Sequence, residues 1–177
     1  MLLAIDPGNT QSAFLVYDGV RPVRFGKWEN NVLLRAMQYD NWACGMNGYA
    51  IETLKPRGMP TSFEEMQTQL WAGRFYQVCW DMLGGDKFGV DDPIQVFRIE
   101  VKKFHCGRVT ANDSNIRQAL IDRFGGKEAA IGKKATPGPL YGVSNDVWSA
   151  LAIAVYAWET KHSSGDEQPH TRIVISD

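Results

Sequence analysis

Three carboxylates stand where hard-cation chemistry would need them. Asp6 closes the apolar run Leu2-Leu3-Ala4-Ile5 and is followed at once by Pro7-Gly8-Asn9-Thr10. The run reads as a buried strand and the Pro-Gly-Asn cluster as a sharp turn. A carboxylate at such a strand end is costly to desolvate unless it is paired or binds a cation. The plain alternative is that Asp6 only caps the turn by accepting backbone N–H bonds. Glu52 ends a later apolar run, Tyr49-Ala50-Ile51, and Asp146 opens the last long helical stretch. Strand ends and helix starts meet at one rim of an α/β sheet, so the three acids can converge. Converging carboxylates repel one another, and bound divalent cations remove that repulsion. Mg²⁺ takes hard oxygen ligands from a few carboxylates plus substrate phosphates. Two such ions, roughly 3.5–4 Å apart, can activate a water and stabilise the leaving oxygen of a phosphodiester. The bland alternative is three unrelated acids, one of them at a helix start.

The elements that must position these acids alternate between strands and helices. Leu2–Asp6, Ser12–Asp18 and Arg21–Trp28 read as three consecutive strands, the last two joined by an Asp18-Gly19 hairpin signal. Asn31–Tyr39 reads as a short helix and Tyr49–Thr53 as a fourth strand. Thr61 or Ser62 caps a long helix with Glu64 and Glu65 in its first turn. Phe63, Met66, Leu70, Trp71, Phe75, Val78, Cys79 and Met82 supply its apolar face, read as core. Ile94–Ile99 alternates as a fifth strand. Asn112 or Asp113 caps a helix running through Phe124 and ended by Gly125-Gly126. A Gly/Pro/Lys loop then extends to Val143, and Ser144 or Asn145 caps the final helix, which runs to about Lys161 with Val147, Leu151, Ala154, Val155 and Trp158 facing a core. This pattern predicts an α/β fold with a mixed central sheet of five strands and flanking helices. Residues 1–161 are expected to form one domain. Residues 162–177 read as a polar tail, with Arg172–Ile175 as a short edge strand.

Bulk properties narrow the setting. The chain has 177 residues, enough for a real core, and no run is long enough to span a membrane. Its start has no basic n-region, so no signal peptide is expected. Cys44, Cys79 and Cys106 are odd in number and form no CxxC, which points to reduced thiols in the cytoplasm and not to zinc. The formal net charge of −1 does not advertise a nucleic-acid binder. Its distribution is less neutral. Arg98, Lys102, Lys103 and Arg108 oppose only Glu100, and Arg123, Lys127, Lys133 and Lys134 bracket only Glu128. Solvated surface explains either cluster alone, whereas two of them flanking an acidic site would make a path for DNA.

Ile5-Asp6-Pro7-Gly8, Ala50-Ile51-Glu52 and Asp146-Val147-Trp148-Ser149-Ala150-Leu151-Ala152-Ile153-Ala154 together resemble the three site motifs of RuvC-type Holliday junction resolvases, in order and across nearly the whole chain. The segment from Ile99 to Leu120, with Val101-Lys102-Lys103, also resembles that family. The Gly138–Val143 stretch is similar to its phage-encoded members, which implies a host cytoplasm. The resemblance implies an RNase H-like nuclease fold and a homodimer that grips four-way DNA junctions. It implies paired nicks made with Mg²⁺ or Mn²⁺ held by Asp6, Glu52 and Asp146. It makes Arg57 and Met59, after Glu52, candidates for the unpaired junction centre. Lys102, Lys103, Arg108, Lys133 and Lys134 become candidates for phosphate contacts, which position DNA without reading sequence. His105 reads as a loop residue, where a proton-transfer role is the minor reading.

One position departs from that pattern. The second acid of the last bacterial motif, three residues after Asp146, is Ser149 here, and a hydroxyl is a poorer cation ligand. Asp113 is the spare acid, although helix capping has the stronger claim on it. The departure keeps open a non-catalytic DNA-binding protein on the same fold. A rival from another class is an actin-like small-molecule kinase. Leu3–Thr10 also resembles the phosphate loop of type III pantothenate kinases, but the second phosphate motif of that group is missing.

Overall fold

The computed structural model describes residues 1–40, 42–55, 58, 60–85 and 92–161. The expected tail, with its edge strand, lies outside the described residues, as do Arg57 and Met59. Five strands form one mixed sheet: β1 (Leu2–Asp6), β2 (Gln11–Tyr17), β3 (Pro22–Glu29), β4 (Gly48–Thr53) and β5 (Ile94–Phe97). Their order is β3-β2-β1-β4-β5. The first three strands pair antiparallel through hairpins, while β4 joins β1 and β5 joins β4 in parallel. The apolar runs in β1, β2 and β4 are continuous because both faces of the sheet are covered. Leu2, Ala4, Leu15, Tyr17 and Ala50 point to one core. Leu3, Ile5, Phe14, Val16 and Ile51 point to the other.

Helices α1 (Asn30–Tyr39) and α2 (Phe63–Met82) cover that second face. Ser62 caps α2 as part of a capping box, its Oγ accepting from the Glu65 N–H while the Glu65 carboxylate accepts from the Ser62 N–H. The apolar positions of α2 do not form the single core face expected of them. Ala72, Phe75, Val78 and Cys79 are buried, but Phe63, Met66 and Leu70 are 66%, 53% and 56% exposed. At 3.6 residues per turn these three fall on a different side of the helix from Phe75, Val78 and Cys79. The sequence therefore holds two stripes, and only one of them meets the sheet.

The other face carries α3 (Arg98–Cys106), α4 (Asp113–Arg123), the short α5 (Gly126–Ala130) and α6 (Val147–Lys161). Helix α6 lies on β1 and β2 and is flanked by α3 and α4. It has no solvent side over most of its length: every residue from Ala150 to Ala157 is buried. The expectation of one core-facing stripe was too narrow. Alanines at 150, 152, 154 and 157 let the sheet and both neighbouring helices approach closely.

Two further expectations need correction. The fifth strand ends at Phe97, and Arg98 to Cys106 is helix, its first turn closed by the Phe97 N–H donating to Glu100 at 3.1 Å. His105 is therefore helical, and its Nε2 donates to the Ala152 carbonyl of α6 at 2.9 Å. Burial lowers its pKa, so this neutral imidazole joins two helices. The stretch after Gly126 is also ordered. It holds α5 and a small hairpin, β6 (Gly132–Lys133) and β7 (Thr136–Pro137), and it buries Leu140. The Leu140 N–H donates to the Ala130 carbonyl at 2.7 Å. A side chain at Gly138 would meet the carbonyl oxygens of Ala129 and Ala130 at 2.3 and 2.4 Å, so only glycine lets the chain pass there.

Leu151→Ala should lower the unfolding free energy by about 2–5 kcal/mol, since Leu151 is fully enclosed and its neighbours are held from every side. Chemical denaturation of parent and variant measures this directly.

Candidate active site

The strand register brings Asp6 and Glu52 together. Ile5 pairs with Ile51 across the parallel β1–β4 ladder, and each acid is the next residue of its strand. Side chains alternate along a strand, so both carboxyls rise on the face of Ala4 and Ala50, the face that α6 covers. Asp146 immediately precedes α6, and its carbonyl accepts from the Ser149 and Ala150 N–H groups at 2.9 and 3.2 Å. Asn145 before it takes a left-handed φ of 48°, which turns the chain into the helix. The positive end of α6 thus faces the acids. Asp6 thus lies within electrostatic reach of both Glu52 and Asp146 at this rim.

The turn after Asp6 is clamped by buried polar groups that the sequence reading missed. Ser12 donates to Asn30 Oδ1 at 2.6 Å, Asn30 Nδ2 donates to the Gly8 carbonyl at 2.9 Å, and the Gly8 N–H donates to Ser12 Oγ at 3.3 Å. A Cβ at Gly8 would lie 2.3 Å from the Gln11 carbonyl oxygen. Ser12 and Asn30 are both buried, and a Ser and an Asn eighteen residues apart carry no local signal of their pairing.

The electrostatics are those of crowded acids. Burial raises the Asp6 carboxyl well above the usual carboxylate range; Glu52 and Asp146 add to the rise, while Arg98 and a hydrogen bond with Ser149 oppose it. Burial also raises Glu52, against the pull of Arg98. Ser149 therefore does face the acids, as its spacing from Asp146 implies.

Two cationic side chains hold the cluster apart. Arg98 Nη1 donates to Glu52 at 3.3 Å, and its Nη2 bonds Asp113. Lys27 reaches over from β3 to Asp146 at 2.6 Å. The sequence reading placed Arg98 on a basic surface and did not single out Lys27. The cap of α4 is Asn112, whose Oδ1 accepts from the Asn115 N–H at 2.9 Å, so Asp113 does not serve as the cap. Asp113 stands instead on the open side of Arg98, 78% exposed. Among the described residues no three His, Cys, Asp or Glu side chains are gathered closely enough to hold a metal ion as they stand. The donor set still fits Mg²⁺ in kind, being carboxylate oxygens from three rigid elements. Glu52 and Asp146 are turned onto Arg98 and Lys27.

Two cavities flank the acids. A pocket of about 300 Å³ lies between Asp113, Asp146, Trp148 and Ser149, with Arg117 over the Trp148 ring at 5.0 Å. A groove of about 610 Å³ runs past Glu52, Lys55, Phe97, Ile99 and Lys102. Arg98 lines both. Lys102 is thus brought to the site, while Lys103 and Arg108 lie beyond it on and after α3. Lys133 and Lys134 are exposed on the small hairpin and line neither cavity.

No protein-family model matches the chain, and no curated protein matches it. Its fold is similar to that of solved structures. A Thermus thermophilus RuvC structure superposes with a TM-score of 0.55 at 16% identity, covering 88% of this chain and 91% of that one. T. thermophilus RuvC in complex with Holliday junction substrate gives a TM-score of 0.59 at 16% identity, covering 88% of this chain and 90% of that one. The expected RNase H-like α/β fold, with a mixed five-stranded sheet and flanking helices, is the fold observed. No helix among the described residues is long and apolar enough to cross a membrane.

The raised Asp6 carboxyl has a consequence for stability without metal. The folded chain keeps a proton that the unfolded chain releases, so stability falls as pH rises from the usual carboxylate range through the raised value. Asp6→Asn removes that loss. In a chelator the variant should melt higher than the parent at about pH 7 and lose this advantage near about pH 4, where both forms are neutral. Thermal melts across that range check the sign.

Proposed function

We propose that this chain is a divalent-metal-dependent endonuclease that cleaves branched DNA. The observation that carries this reading is the placement of Asp6 and Glu52 on adjacent parallel strand ends, opposite Asp146 at the start of α6, within a RuvC-like fold. Asp6, Glu52 and Asp146 would hold Mg²⁺ or Mn²⁺, with Asp113 within reach of the same arginine. Bound there, such ions supply water activation and charge stabilisation for phosphodiester hydrolysis, two of them in the form the sequence resemblance implies. The protein's own part is to fix the acids, to exclude water beneath them, and to offer positive charge to the DNA backbone. Lys102 and Arg98 do so at the site; Lys103, Arg108, Lys133 and Lys134 do so farther out. Arg57 and Met59 remain candidates for the junction centre. Four-way junctions are the favoured substrate because one structural neighbour is a RuvC bound to a Holliday junction. A homodimer would bury the exposed Phe63, Met66 and Leu70 stripe. If the chain is phage-encoded, in line with its motif likeness to phage members, it would work in the host cytoplasm.

A second reading, a non-catalytic DNA-binding protein, is favoured by Ser149 and by the ion pairs that already occupy Glu52 and Asp146. The kinase reading has less support. The Gly8 N–H, which a phosphate-cradling turn would present, is already bonded to Ser12 Oγ at 3.3 Å.

Asp6→Asn should abolish Mg²⁺-dependent cleavage of a four-way junction while gel-shift binding persists, because a ligand charge goes and the basic surface stays. Full cleavage by the variant would overturn this site, and a parent that binds junctions without cutting them in either metal would favour the non-catalytic reading.

Lys133→Ala combined with Lys134→Ala should weaken junction binding and flatten its salt dependence. Each lost phosphate contact lowers the log–log slope by about 0.9 on duplex arms. A slope equal to the parent's would mean that the hairpin does not touch DNA.

A further inference from the structure

Arg98 opens α3 directly after β5, and its guanidinium lies between Glu52 and Asp113. It also lines both cavities that flank the acids. Only 28% of its side chain is exposed, and two carboxylates hold it. A guanidinium stays charged at any working pH, and its planar fork can bond carboxylate and phosphate oxygens together. Lys27 stands differently: it holds one acid from the rim.

The donors left for metal ions are few. Beside Asp6 and Asp146, oxygens for a second cation would have to come from Glu52 or from the first turn of α6. Glu52 is bonded to Arg98, and the helical position is Ser149, whose hydroxyl serves Asp6. The formal charges agree. Asp6, Glu52, Asp146 and Asp113, once ionised, carry minus four; Arg98 and Lys27 bring this to minus two, and a single divalent cation to zero.

We propose that Arg98 takes the place of a second metal ion: the site loads one divalent cation, and Arg98 presents the other positive charge to the scissile phosphate. This rests on the nuclease reading above. In the reaction, water adds to phosphorus and releases a proton to solvent, and the P–O bond to the leaving sugar oxygen breaks. That oxygen leaves with a proton drawn from solvent, and Arg98 holds a non-bridging oxygen without giving up its own proton.

The test counts Mn²⁺ bound to the whole chain, from the free-ion electron paramagnetic resonance signal, and measures junction cleavage separately. The parent should bind one ion, and so should Arg98→Lys. Arg98→Met should bind two, because the Glu52 and Asp113 oxygens that Arg98 occupies are freed for a second ion. Its cleavage should nevertheless fall about 100-fold, the scale of losing one preorganised charge-stabilising donor. Arg98→Lys should recover part of that loss, and its melting curve controls for the fold. Two ions on the parent, or an Arg98→Met titration identical to the parent's, would overturn the role of Arg98 and leave the nuclease reading standing. A parent that binds no Mn²⁺ and cleaves no junction would remove both.

Discussion

Helix α6 is enclosed from Ala150 to Ala157, so contacts on every side fix its height and rotation on the sheet. Interiors are close-packed, and a helix seated this way has no soft direction in which to slide. Asp146 and Ser149 sit at the end of that helix, and Asp6 and Glu52 at the ends of the strands beneath it. The positions of the acids are therefore set by apolar packing some distance below them. The His105 bond to the Ala152 carbonyl ties α3 to the same helix and so locates Arg98, the first residue of α3.

Charge at the rim is balanced by side chains from elements that the sequence leaves far apart. Lys27 comes from β3, Arg98 from α3, and Asp113 from α4. Each pairing takes up repulsion that the acids would otherwise exert on the fold. Such partly exposed pairs add little stability singly. Their effect here is on geometry: Glu52 and Asp146 are each drawn toward a cation of the protein, while burial holds the Asp6 carboxyl well above the usual carboxylate range.

The acids were legible in the sequence because Asp6 and Glu52 sit where an apolar run stops and Asp146 where one begins, and burial on both sheet faces makes such runs continuous. The five strands and the long helices were visible for the same reason. Helix α3 was not, because the apolar residues Val96, Phe97 and Ile99 run on across the point where strand becomes helix, and the Glu100 contact that closes the first turn leaves no mark on that pattern. The stripe on α2 was pooled with the core because periodicity reports that residues are apolar, and not whether a partner lies opposite. Lys27, Ser12 and Asn30 escaped notice for a simpler reason. Their partners are set by strand register and by the docking of α6, which no local window contains.

The order in which the chain is made has a consequence for the rim. β1 is the first strand, yet its parallel neighbour closes only after Thr53 and the helix that lies across it spans Val147–Lys161. Contacts of such long sequence separation form late, because loop closure must come first. A nascent chain emerging from a ribosome therefore carries Asp6 and Glu52 long before Asp146 can join them. Until α6 docks, the acids stand as a solvated pair, with no helix end above them and no third carboxylate to complete the ring. Assembly of the rim is in this sense the last event of folding: a chain that has not finished folding does not bring Asp146 to Asp6 and Glu52.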